Sequence, residues 1–156
     1  YDTFLHFGVD NLELGQKIEY QFLDEIIRYN ELVEGTLDVL NYLKNKDYEL
    51  HIISNGFYEV THRKVQHSGL SPFFGSITSA DDAGVRKPNP KIFQHALNQA
   101  KAEKKESILI GDDWIADIKG AQNFGMEVIF FDALRQDLFE ENLTCVKHLK
   151  DLQNLF

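Results

Sequence analysis

The sequence predicts an α/β fold built on a doubly wound, Rossmann-like parallel sheet, and three observations carry that expectation. From about residue 34 onward, short β-rich runs alternate with stretches of helical period. The β runs are almost continuously apolar, which is the pattern of strands covered by helices on both faces. Polar residues cluster directly after two of these runs and at a proline corner beyond a third, on the side where open α/β sheets keep their ligands.

Each element has its own signal. From Leu12 to Tyr29, the residues Leu14, Ile18, Phe22, Leu23, Ile26 and Ile27 recur at helical spacing with charges between them. A second periodic stretch carries Val33, Leu37, Leu40 and Leu43 and breaks at Asn45-Lys46-Asp47. Tyr48 to Ile53 reads as a strand that stops at Ser54-Asn55-Gly56, and Tyr58 to His67 as a helix. The alternation continues with a strand at Ser76–Thr78, a helix at Pro90–Lys101, a strand at Ser107–Ile110, a helix at Ile115–Phe124 and a strand at Glu127–Phe131. Leu143 to Val146 is expected as one more short strand, and His148 to Leu155 as a closing helix.

Composition narrows the function. The chain has 156 residues, 16 Lys+Arg against 25 Asp+Glu, and a formal charge of −9. Such an acidic surface has no electrostatic footprint for a polyanionic backbone, so a nucleic-acid polymer is not expected as a partner. No run approaches the roughly 20 apolar residues of a membrane span, so no membrane partner is expected. Cys145 is the single cysteine and cannot form an intrachain disulfide. A soluble protein of a reducing, cytoplasmic compartment is the expectation. The chain starts Tyr1-Asp2-Thr3 without methionine, basic n-region or apolar signal core, which fits either a processed or a truncated start. The histidines at 6, 51, 62, 67, 95 and 148 never fall at zinc-binding spacing.

The first polar cluster, Ser54-Asn55-Gly56, can present one hydroxyl and several backbone N–H donors to an anion at a helix start. A turn and helix cap explains the same residues. In the second, Arg86-Lys87-Pro88-Asn89-Pro90, Pro88 biases Lys87 towards extended backbone, and Asn89 with Pro90 opens a helix. Lys87 is then placed to meet a phosphate or carboxylate, or else is a solvated loop lysine. The third, Gly111-Asp112-Asp113-Trp114-Ile115-Ala116-Asp117, sets three carboxylates within six residues. They repel one another unless a cation sits among them, and hard oxygen ligands of this kind suit Mg²⁺. The alternative makes Asp113 a helix cap and Asp117 a surface charge, and leaves Asp112 without a reason.

In this order and spacing, the three clusters resemble motifs two, three and four of the haloacid dehalogenase-like (HAD) superfamily. Glu34-Gly35 through Gly56-Phe57, Gly84-Val85-Arg86-Lys87-Pro88 with Ile92-Phe93, and Gly111-Asp112 with Asp117-Ile118 and Gly120-Ala121 are especially similar to its YjjG-like pyrimidine 5′-nucleotidase branch. The resemblance implies a HAD-like sheet and a Mg²⁺-dependent phosphatase acting on a small phosphorylated substrate, such as a nucleoside 5′-monophosphate. It implies that Ser54, the Asn55 backbone N–H and Gly56 bind the phosphoryl group, and that Lys87 neutralises charge on it and on the nucleophile. Asp112 is then the Mg²⁺ ligand with Asp113 as its neighbour, and Asp117 holds Lys87 or a metal-bound water. Such roles suit phosphoryl transfer, which needs positioning and charge neutralisation above all.

The family's first motif, Asp-x-Asp-x-Thr/Val after the first strand, has no counterpart here. Its leading Asp is the nucleophile that forms an aspartyl-phosphate. Residues 1–33 resemble the C-terminal part of a helical cap, and residues 34–156 a core lacking its first strand. That strand belongs between the strands ending at Ser54 and Asp112, so a missing N-terminal segment or a second chain is expected to complete the sheet. Two further readings stand beside the phosphatase. One is a metal-independent 2-haloacid dehalogenase, against which Gly111-Asp112-Asp113 argues. The other is a non-catalytic fragment that binds phosphate or Mg²⁺.

Overall fold

A computed structural model describes residues 2–136, 138 and 140–156. The chain opens with α1 (Asp2–His6) and the amphipathic α2 (Leu12–Arg28), followed by α3 (Thr36–Asn45). Strand β1 (Leu50–Ile53) leads to α4 (Tyr58–His67), and β2 (Phe74–Thr78) to the one-turn α5 (Ala80–Ala83). After α6 (Pro90–Ala100) and β3 (Ile108–Gly111) comes a π-helical stretch, Trp114–Lys119, continued by α7 (Gly120–Phe124). Strands β4 (Glu127–Phe131) and β5 (Thr144–Val146) and a 3₁₀ segment, Leu149–Asn154, finish the chain.

All strand pairs are parallel, and the sheet is broken in two. β1 pairs with β2, and β3 with β4, which pairs in turn with β5. Among the described residues, β1 and β3 each keep one edge without a partner strand. Their burial reflects it. In the centre of the three-stranded sheet, Val128, Ile129 and Phe130 of β4 are buried, whereas every residue of β1 is only half-buried and Ile108 of β3 is 38% exposed.

Strand alternation sorts the core into two layers. Val128 and Phe130 join Ile92, Phe93 and Leu97 of α6 with Ile118, Ala121 and Met126 on one face. Ile129 turns to the other, with Val39 and Leu43 of α3, Val146 and Leu152. Fully buried side chains such as Phe93, Phe130 and Ile118 each stabilise the fold by about 1.5–3 kcal/mol.

Several expected boundaries shift. Tyr48 and Glu49 lie outside β1, and β2 begins two residues early, at Phe74, because a 3₁₀ turn at Ser71–Phe73 delivers the chain in extended form. The expected helix from Ile115 to Phe124 starts one residue earlier, at Trp114, and is π-helical as far as Lys119. There the Ile118 N–H reaches back five residues to the Asp113 carbonyl. The closing helix is 3₁₀ rather than α. Asp81 and Asp82 lie in the first turn of α5, where the Asp82 carboxylate and Ser79 form a reciprocal capping box.

Helix α2 rests on α4. Arg63 Nη2 meets Asp24 Oδ1 at 3.0 Å, and Asn30 Nδ2 donates to the His67 carbonyl at 2.9 Å. Tyr20 and Phe22 of α2, and Tyr29 just past its end, stay largely exposed. Among the described residues, no helix is long and apolar enough to cross a membrane.

Candidate active site

The three polar clusters converge at the carboxyl ends of β1 and β3, beside the break in the sheet. Ser54 follows β1 directly, and its N–H donates to the Thr78 carbonyl at 2.8 Å, extending the parallel ladder by one bond. The Ser54 hydroxyl oxygen accepts from the Gly56 N–H at 3.0 Å and from the Thr61 hydroxyl at 3.3 Å. With both contacts made to the oxygen, the hydroxyl proton is left to donate outwards. Gly56 is required by space here, since a Cβ would lie 2.7 Å from Thr61 Oγ1.

Asn55 acts through its side chain. Its Oδ1 accepts the Lys87 N–H at 2.7 Å and its Nδ2 donates to the Lys87 carbonyl at 3.1 Å. Both backbone groups of Lys87 are thereby fixed to the end of β1. This clamp was not foreseen from sequence, because it joins residues 32 apart and a bidentate amide leaves no local pattern. The following Lys87–Pro88 peptide bond is cis. Asn89 Oδ1 caps α6 by accepting the Lys91 N–H at 3.0 Å, with Pro90 in the first turn. Gly120 lets this corner pack closely, as a Cβ there would stand 2.9 Å from Pro88 Cβ.

Lys87 is no solvated loop lysine. Its side chain is 12% exposed, and Nζ donates to Asp117 Oδ1 at 2.5 Å and to the Ile53 carbonyl, the last of β1, at 3.0 Å. The ammonium group therefore sits at the open edge of β1.

Asp117 is equally far from a surface charge, being 5% exposed. Its second oxygen accepts the Asp113 N–H at 3.2 Å. The carboxylate lies against Gly111, where a Cβ would be 2.5 Å from Asp117 Cβ. Asp113, expected beside Asp112 on the metal, caps the π-helical stretch. Its Oδ1 accepts the N–H groups of Ile115 at 2.9 Å and Ala116 at 2.7 Å.

Asp112 differs from both. It follows β3, is exposed, and among the described residues its carboxylate makes no hydrogen bond or ion pair. A hard, unengaged carboxylate at a strand end fits Mg²⁺, which takes one or two carboxylates and otherwise water and phosphate oxygens. Among the described residues there is no group of three or more His, Cys, Asp and Glu side chains able to hold a metal. Asp112 alone makes no complete metal site among the described residues.

A hydroxyl donor, a buried ammonium and an unengaged carboxylate at the ends of parallel strands make a site suited to an anion. Residues 4–131 match the haloacid dehalogenase-like hydrolase family, and the chain belongs to it. It is 32% identical over 125 residues to the glyceraldehyde 3-phosphate phosphatase of Methanothermobacter thermautotrophicus, covering 78% of this chain and 55% of that protein. It is 30% identical over 132 residues to the pyrimidine 5′-nucleotidase PynA of Streptococcus pneumoniae, covering 83% of this chain and 54% of that protein. The fold matches that of the magnesium-bound HAD-hydrolase YfnB from Bacillus subtilis with a TM-score of 0.80 at 24% identity, over 90% of this chain and 62% of that one. The chain thus spans about half the length of the curated relatives it matches.

Proposed function

We propose that the protein carrying this chain is a Mg²⁺-dependent phosphatase that hydrolyses a small phosphate monoester, with nucleoside 5′-monophosphates as its substrate class. The observation that carries this reading is the position of Lys87 Nζ, held by Asp117 at the last carbonyl of β1, on the open side of the broken sheet. A buried cation at that point offers charge neutralisation to a phosphoryl group.

In this reading the Ser54 hydroxyl and the backbone N–H groups of Asn55 and Gly56 orient the phosphoryl oxygens, the Gly56 N–H exchanging its Ser54 contact for substrate. Lys87 neutralises charge on the phosphoryl group and on the attacking carboxylate, and Asp117 positions Lys87. Asp112 is the residue of this chain that would hold Mg²⁺, which supplies further neutralisation of phosphate charge when bound. With a net charge of −9 the protein repels anionic substrates at long range, so local attraction rests on these groups.

The attacking aspartate, which forms the aspartyl-phosphate, lies outside this chain on a strand that fills the slot between β1 and β3. The open edges and half-exposure of those two strands support this. Residues 1–33 are then the C-terminal part of a helical cap and residues 34–156 the core. The strand comes from an N-terminal segment of a longer polypeptide or from a second chain, in a cytoplasmic protein.

The test is product chemistry on the native protein. Phosphate release from nucleoside monophosphates that stops on chelation and returns with Mg²⁺ supports the proposal. Metal-independent halide release from 2-haloacids identifies a dehalogenase instead, and Mg²⁺ binding without hydrolysis a non-catalytic protein.

A further inference from the structure

A cleft of about 340 Å³ opens beside Asp112, lined by Asp112, Asp113, Trp114, Ile115, Leu134 and Gln136. One end of it is the carboxylate assigned above to Mg²⁺. The remainder is walled by an indole and two aliphatic side chains, and Ile115 and Leu134 stand 61% and 78% exposed. Single exposed aliphatics are ordinary, but two of them with a tryptophan around one cleft make a surface that gains by being covered.

Parts of the wall are held in place. Trp114 meets the buried Phe130 edge-on at 5.2 Å, and Lys119 Nζ lies 5.1 Å from its ring centroid. Lys119 and Gln122 both donate to Glu140 Oε2, tying the segment after β4 to the helix that follows Trp114. On the opposite wall, Asp132 is 1% exposed and its Oδ1 accepts the Gln136 N–H at 2.7 Å. The backbone beneath Leu134 and Gln136 is therefore anchored, and the Gln136 amide offers one acceptor and two N–H donors at the cleft.

We propose that this cleft receives the organic part of the substrate, a planar aromatic or heteroaromatic group, when the phosphoryl group sits at Ser54 and Lys87. The inference rests on the phosphatase reading and goes beyond it by assigning leaving-group selection to Trp114, Ile115, Leu134 and Gln136. A flat ring covers the three apolar side chains and presents its heteroatom edge to Gln136. A small polyol covers less of the Trp114, Ile115 and Leu134 surface than a flat ring does, so it gains less by entering. The cleft thus favours a nucleoside monophosphate over a triose or glycerol phosphate.

Two readouts on the native protein test this. The first is the ratio of kcat/KM for thymidine 5′-monophosphate to that for glycerol 3-phosphate. Leu134→Ser and Ile115→Ser are each expected to lower it roughly tenfold, through KM for the nucleotide. The second is tryptophan fluorescence. Thymidine, which carries no phosphate, is expected to quench wild-type emission, and Trp114→Phe to abolish that quench. An unchanged ratio in both serine variants, or a thymidine quench that survives Trp114→Phe, overturns the assignment. If the wild type releases phosphate from neither ester, the phosphatase reading fails by itself. The fluorescence result then decides the cleft: a Trp114-dependent quench supports a ring-binding site, and no quench overturns it.

Discussion

Lys87 and Asp117 stand 30 residues apart in sequence, yet Nζ and Oδ1 are 2.5 Å apart with side chains only 12% and 7% exposed. The pair joins the corner before α6 to the helical segment after β3, across the break in the sheet. Removing one partner of a buried ion pair strands the other charge, at a cost of about 3–5 kcal/mol. Lys87→Met is expected to lower stability by that order and kcat by roughly 10²–10³-fold. Asp117→Asn is expected to keep more of the fold and still lose most of the activity, because Lys87 loses its anchor. Urea midpoints and phosphate-release rates of both variants check this.

Gly111→Ala tests the packing behind that pair. The new Cβ would meet the Asp117 Cβ at 2.5 Å and its carboxylate at 2.6 Å, so Asp117 must move. Overpacking of this kind costs about 1–3 kcal/mol. The expected outcome is a destabilised protein whose kcat falls further than that of Gly84→Ala. At Gly84 a Cβ meets nothing, and only the positive φ of 67° is strained.

Asn55 supplies a second separation of roles. Its amide holds the Lys87 backbone at both N–H and carbonyl, so Asn55→Ala frees the corner without removing a charge. The expected result is a loss of about 1–3 kcal/mol of stability, together with a fall in kcat that Asn55→Asp only partly restores, since a carboxylate can accept but not donate.

These two side chains mark what the sequence could and could not disclose. Ser54, Lys87 and Asp112 were legible because each sits just past an apolar run or on a proline corner, and local pattern suffices to place such residues. The Asn55 clamp and the burial of Asp117 depend on which elements meet across the fold, and periodicity carries no record of that. The π-helical stretch escaped for a related reason. Its longer turn is fixed by Asp113 capping Ile115 and Ala116 while Asp117 turns inward, whereas the residue pattern alone reads as an ordinary helix. Strands β1 and β3 are only partly buried, and they flank the slot where a further strand was expected.

His51 gives a pH signature. It faces Ser76 across β1 and β2, with Nδ1 and Oγ 2.8 Å apart, and burial holds its pKa below the ordinary 6.5, against the opposing pull of Glu49. The unfolded chain therefore takes up the proton first as pH falls. The contribution of His51 to stability is complete above about 6.5 and is lost as the pH drops from there toward the folded-state value. Denaturation midpoints at pH 8 and pH 5.5 should show a decline that His51→Gln reduces.

Thr78 reads in the opposite direction. It is fully buried in β2, and its hydroxyl has no hydrogen-bond partner among the described residues. Thr78→Val keeps the shape and removes the stranded group, and is expected to raise stability by about 1 kcal/mol with activity unchanged. Thermal unfolding of the variant checks the sign.

Mg²⁺ activation curves decide whether these strand ends form a Mg²⁺-dependent phosphoryl site. Phosphate release is followed in the native protein and in Asp112→Asn. Saturable activation is expected in the wild type, and in the variant a loss of roughly 10²-fold or more that added Mg²⁺ does not restore. Equal rates and equal Mg²⁺ dependence in the two proteins would contradict it.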